Sequence, residues 1–178
     1  MWVSSCHIIR YEGRLSMKVK FGGKPVVLAG TEIHVGDTIA DFAAVKNDLS
    51  PFKLSEIKGR KLILAVPSLD TSVCDAEVRR FNKEAASLDG VTVVTVSMDL
   101  PFAQKRWCGA AGIDNVITVS DYKDRDFAHT FGAYLPNVGL IARSVFLLDE
   151  NNTVKYVEYV PEVTDHPNYE AALKAVKA

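Results

Sequence analysis

Of the three cysteines in this chain, Cys6, Cys74 and Cys108, Cys74 has the neighbours that could make a thiol reactive. The apolar run Leu62-Ile63-Leu64-Ala65-Val66 leads into Pro67-Ser68-Leu69-Asp70-Thr71-Ser72-Val73-Cys74 as a buried strand would. A helical pattern from Val73 to Leu88 leads out of it. Cys74 therefore falls in the first turn of a helix, where Asp70, Thr71 and Ser72 offer side-chain oxygens to the unpaired amides. A helix start carries partial positive charge, which favours a thiolate over a thiol. Thr71, three residues ahead, can bring its hydroxyl to the sulfur or to an oxygen bound there. Pro67 can fix the chain's exit from the strand and shield the thiol from bulk water. A free thiol near pKa 8.5 is at most about a tenth ionised at neutral pH. The helix terminus supplies only about 0.3 to 2 kcal/mol toward ionisation, so a reactive thiolate here needs a cation as well. Wheel position alone favours a blander reading. Cys74, Val78, Phe81, Ala85 and Leu88 share one face, and a small buried hydrophobe would serve there equally well.

The elements that must hold this site are legible on either side of it. Lys18 to Phe21 and Pro25 to Leu28 flank Gly22-Gly23-Lys24, a hairpin signal. Asp41 to Val45 reads as a strand, and Val91 to Val96 as a strongly β-branched one. Pro101 opens a helix reaching Ala111, on which Leu100, Ala103, Trp107 and Ala111 form the apolar stripe. Cys108 lies about 100° from Trp107 and borders the polar face. Val116 to Val119 is a short strand and Arg125 to Phe131 a helix. Ser144 to Leu148 and Thr153 to Tyr159 form a hairpin. Asp165-His166-Pro167 caps a last helix, Asn168 to Lys177. Strands alternating with helices and closing on a hairpin define an α/β class, with helices around a mixed sheet in one domain. Residues 1–16 read as a poorly ordered extension preceding a domain over 17–178, and Cys6 within it as incidental.

Composition removes several function classes. The chain has 178 residues, 48% hydrophobic and 24% charged, with a formal net charge of −1. No basic stripe is interleaved with aromatics, so nucleic acid and anionic membrane are poor partners. No apolar run reaches the roughly 18 to 20 residues that span a bilayer. Three sparse cysteines suit a reducing compartment and not a disulfide scaffold. With no export signal visible, cytoplasmic residence is expected. C-x-x-C is absent, and His7, His34, His129 and His166 lack ligand spacing, so neither a dithiol oxidoreductase motif nor a metal site is expected.

The spacing Pro67-x-x-x-Thr71-x-x-Cys74 resembles the peroxidatic motif of the peroxiredoxins. The full segment Pro67 to Cys74 is similar to that of the thiol peroxidase branch, the atypical two-cysteine peroxiredoxins. Asp99-Leu100-Pro101-Phe102-Ala103-Gln104 with Cys108-Gly109 resembles that branch's resolving-cysteine helix. Asn115-Val116-Ile117-Thr118 and Tyr169-Glu170-Ala171-Ala172-Leu173 also match, in the right order. The resemblance implies a thioredoxin-like (peroxiredoxin) fold, a mixed central sheet flanked by helices with an N-terminal β-hairpin. It implies reduction of hydrogen peroxide and alkyl hydroperoxides with no metal or organic cofactor. Cys74 would be the peroxidatic nucleophile, Thr71 would hydrogen-bond the peroxide, and Pro67 would complete the motif. Arg143, otherwise an ordinary surface charge at a strand entry, would be the cation. Cys108 would be the resolving cysteine, forming a Cys74–Cys108 disulfide within one chain after both helices partly unwind. A thioredoxin-type dithiol protein would reduce that bond, and the enzyme would be a homodimer. The rival reading from another class is a redox-inactive thioredoxin-like binding module.

Overall fold

The computed structural model describes residues 16–178; the readings made of residues 1–15, Cys6 among them, fall outside these. The first hairpin is as expected: β1 (Lys18–Phe21) pairs antiparallel with β2 (Lys24–Val27). Gly22 and Gly23 turn between them at φ +59° and +78°, a conformation open to glycine without strain. Two strands follow, β3 (Ala43–Lys46) and β4 (Pro51–Lys53), then a 3₁₀ turn at Leu54–Glu56. The centre of the chain alternates β5 (Arg60–Ala65), α1 (Ser72–Ala85), β6 (Val91–Ser97), α2 (Pro101–Ala111) and β7 (Val116–Ser120). After the one-turn helix α3 (Asp126–Thr130) comes a two-residue ladder of β8 (Tyr134–Leu135) and β9 (Leu140–Ile141). The hairpin of β10 (Ser144–Leu148) and β11 (Val154–Tyr159) leads to α4 (Tyr169–Lys177). That last helix is capped by Asn168, whose side chain accepts from the Ala171 amide, and not by Asp165 to Pro167. An Asx side chain directly before the first turn is the better-placed acceptor.

Seven strands form one sheet in the order β11-β10-β5-β6-β7-β3-β4. The β5, β6 and β7 strands are parallel, and β10 and β3 flank them antiparallel. The period of two explains why β5 reads as an unbroken apolar run. Leu62 and Leu64 face α1 and α4 with Phe81, Leu173 and Val176, whereas Ile63 and Ala65 face the opposite layer. That second layer holds an aromatic cluster in which Phe42, Phe127, Phe131 and Phe146 meet at centroid distances of 4.4 to 6.4 Å. The carboxyl ends of the parallel strands, at Ala65, Ser97 and Ser120, lie side by side. Such an edge is where open α/β sheets present their ligand-handling loops. Among the described residues no helix is long and apolar enough to cross a membrane.

Candidate active site

Cys74 is the third residue of α1 and is fully buried. Val66, Leu69 and Val78 pack around it, with Trp107 leaning in from α2. Thr71 is the N-cap residue, with extended backbone angles, but its side chain caps no amide, contrary to expectation. The hydroxyl lies instead 2.7 Å from the Cys74 sulfur and 3.0 Å from the Ser68 carbonyl. It has one proton to share. With a thiol it accepts from S–H and donates to Ser68; with a thiolate it donates to the sulfur.

Arg143 sits between β9 and β10, 2% exposed. Its Nη2 is 3.2 Å from the Cys74 sulfur, its Nη1 2.5 Å from Glu77 Oε2, and its Nε donates to the Val163 carbonyl at 2.9 Å. The guanidinium is thus fixed on three sides. Burial alone would weaken its proton affinity, but Glu77 and then Cys74 outweigh that and hold it above the usual arginine range. The same burial pushes Glu77 up to about 7, against the pull of Arg143's charge and hydrogen bond. Glu77 Oε1 has no hydrogen-bond partner among the described residues. Sequence reasoning did not single out Glu77. Its one signal was a position three residues after Cys74, on the same helical face.

Above this pair opens a pocket of about 340 Å³, its walls including Phe21, Pro67, Thr71, Leu140, Arg143 and Val163. Pro67 is buried two residues past the end of β5. A mostly apolar mouth over a fixed cation and a hydroxyl suits a small polar head carrying an organic tail.

The second cysteine occupies a different setting. Cys108 is half-buried and lies in the C-terminal half of α2, not at a helix start. Its sulfur is 3.2 Å from Thr118 Oγ1 and 3.9 Å from Asn47 Nδ2, on the β7 side. Both Cys74 and Cys108 are free thiols. The face that α2 buries also departs from the expected stripe. Pro101 and Gln104 are buried, while Leu100 is half exposed. Gln104 is tolerated inside because its amide donates to Ser97 Oγ and to the Val119 carbonyl, each at 2.9 Å. Trp107 turns toward α1 and donates to Asp75 Oδ1 at 2.9 Å. Neighbouring residues of one helix therefore address the two sides of the molecule.

A thioredoxin-like sheet with a buried cysteine and arginine at its carboxyl edge is the architecture of a thiol-based redox protein. The chain belongs to the redoxin family, whose model matches residues 34–173. It is 54% identical over 162 residues to the thiol peroxidase of Clostridium acetobutylicum, covering 91% of this chain and 99% of that protein. Identity to the thiol peroxidase of Bacillus subtilis is also 54% over 162 residues, covering 90% and 97%. A peroxiredoxin-like protein from Aquifex aeolicus superposes with a TM-score of 0.84 at 40% identity, over 93% of this chain and 98% of that one. A thiol peroxidase from Chromobacterium violaceum, at 22% identity, shares the fold with a TM-score of 0.82, over 90% and 95%. The chain is an enzyme, a thiol peroxidase of the peroxiredoxin type.

Proposed function

We propose that this peroxidase reduces hydrogen peroxide and alkyl hydroperoxides at Cys74 and completes its cycle through a Cys74–Cys108 disulfide. The observation that carries the reading is the buried Cys74 sulfur with Arg143 Nη2 at 3.2 Å and Thr71 Oγ1 at 2.7 Å. The Cys74 thiolate attacks the distal peroxide oxygen, and an S–O bond forms as the O–O bond breaks. Sulfur loses two electrons to become a sulfenic acid, and the leaving oxygen takes a proton to depart as water or an alcohol. Arg143 and Thr71 stabilise charge on the two oxygens, and arginine does so without ever giving up its own proton. Pro67 keeps bulk water off the sulfur. The Cys108 thiolate then attacks the sulfenic sulfur, an S–S bond forms, and hydroxide leaves to become water. A thioredoxin-type dithiol returns both cysteines to thiols by exchange.

This chemistry needs no metal or organic cofactor, and a reducing compartment such as the cytoplasm supplies the dithiol. The same reading includes a homodimer. Phe102, 65% exposed, and Leu100, 50% exposed, at the start of α2 are apolar surface that such a pairing would cover. The test is a pair of substitutions followed through one turnover. Cys74→Ser is expected to abolish peroxide consumption. Cys108→Ser is expected to consume one equivalent and then stop, with or without a thioredoxin system. Loss of the first equivalent in Cys108→Ser would overturn the division of roles.

A further inference from the structure

Asp99 stands where β6 hands over to α2, and its carboxylate is surrounded by donors. Oδ1 accepts from the Ser68 hydroxyl at 2.7 Å, and Oδ2 from the Leu69 amide at 2.8 Å and the Ser97 hydroxyl at 2.6 Å. Behind it, Ser97 Oγ accepts from the buried Gln104 amide, and the Asp99 carbonyl accepts from the Ser120 hydroxyl. Ahead of it, the Ser68 carbonyl lies 3.0 Å from the Thr71 hydroxyl, which in turn lies 2.7 Å from the Cys74 sulfur. Contacts therefore run unbroken from the interior of α2 to the sulfur.

We propose that Asp99 is a positioning residue, a latch that holds the Ser68–Thr71 turn closed over Cys74 and must let go before Cys108 can reach it. The proposal rests on the catalytic cycle given above. With the latch closed, Ser68 and Leu69 are fixed, and through them the Thr71 hydroxyl is held on the sulfur. The closed arrangement serves the attack on peroxide. Disulfide formation makes the opposite demand, because the Cys108 sulfur faces Thr118 and Asn47 on the β7 side. The first turn of α1 must move, an opening of low local stability. Moving it breaks the bonds from Ser68 and Leu69 to Asp99, while the Ser97 bond, on the β6 side, survives. Weakening the latch should therefore slow the first step and speed the second. A residue that merely supports the fold would impair both.

The experiment mixes the reduced full-length chain with one equivalent of hydrogen peroxide, quenches it at intervals, and follows sulfenic acid and disulfide by intact mass. The chains compared are wild type, Asp99→Ala, Asp99→Asn and Ser68→Ala. A hydrogen bond to a charged group is worth about tenfold or more in an equilibrium. Ser68→Ala, which removes one of the two latch bonds, is accordingly expected to slow sulfenic acid formation about 5- to 10-fold and to speed its conversion to disulfide by a similar factor, and Asp99→Ala, which removes both, to do each by about 10-fold or more. Asp99→Asn keeps one acceptor oxygen, which Leu69 and Ser97 can share as they share Oδ2, and is expected to fall between wild type and Asp99→Ala. If Asp99→Ala does not fold, Ser68→Ala and Asp99→Asn make the same comparison. Steps that change in the same direction, or by less than about twofold, overturn the latch while leaving the cycle intact. A wild-type chain that forms no Cys74–Cys108 bond overturns the cycle and the latch with it.

Discussion

Arg143 commits each of its three nitrogens to a different partner, Val163, Glu77 and Cys74. A lysine at this position would keep the charge but could not hold that fork. Arg143→Lys is therefore expected to lower kcat/KM for hydrogen peroxide by about 10²-fold or more, measured by stopped-flow peroxide consumption. A fall of less than about threefold would show that charge alone suffices. Glu77 competes with the sulfur for the same cation. It takes up a proton more readily in the folded chain than in the unfolded one, about 7 against the usual 4.5. Between those values the folded state holds the extra proton, so this group's contribution to stability falls as pH rises through the window. The slope is about 1.4 kcal/mol per pH unit for a full proton. Glu77→Gln is expected to flatten that part of the curve of unfolding free energy against pH, read by urea denaturation at pH 5, 6 and 7. An unchanged slope would contradict the assignment.

The elements show the same dependence on particular partners. The five-residue α3 is too short to persist on its own propensity. Asp121 secures it by accepting from the Phe127 and Ala128 amides at 3.0 and 2.9 Å while buried at the end of β7. Asp121→Ala is expected to cost about 2 kcal/mol of unfolding free energy, and no change in the urea midpoint would refute this. The parallel strands, both long helices and the first and last hairpins were legible because their periodicity is local and strong, whereas the three-residue β4 was not. The β8–β9 ladder was not, since two residues a side leave no alternation to count. Gln104 was missed as a buried residue because the acceptors for its amide NH2, Ser97 and Val119, arrive from the strands beneath it. Arg143 was found only through resemblance, as 69 residues separate it from Cys74 and nothing local marks its burial. Glu77 shared the sulfur's helical face, yet a carboxylate there reads as solvent-facing until its arginine is in place.

At the scale of the molecule, the acidic groups divide by environment and act in opposite pH windows. Burial pushes Asp121 up to about 6, as it does Glu77 to about 7. Glu162 is held down to about 2, first by the Gly23 amide at the turn of the first hairpin. Its contribution is present above the ordinary carboxylate range and is lost as pH falls through it. The two sets together place the stability maximum well on the acid side of neutrality, at about pH 4. A maximum at pH 7 or above would contradict that balance. Among the described residues the two sulfurs share no hydrogen-bond partner. Cys74 lies under the pocket floor, and Cys108 lies against β7.

The most direct test treats the reduced full-length chain with one equivalent of peroxide and maps its cysteines by mass after proteolysis without reductant. The account predicts a chain not cross-linked to any other and lighter by two hydrogens, with Cys74 joined to Cys108 and Cys6 free. A bond from Cys6 to Cys74, or oxidised Cys74 with Cys108 still a thiol, would contradict it.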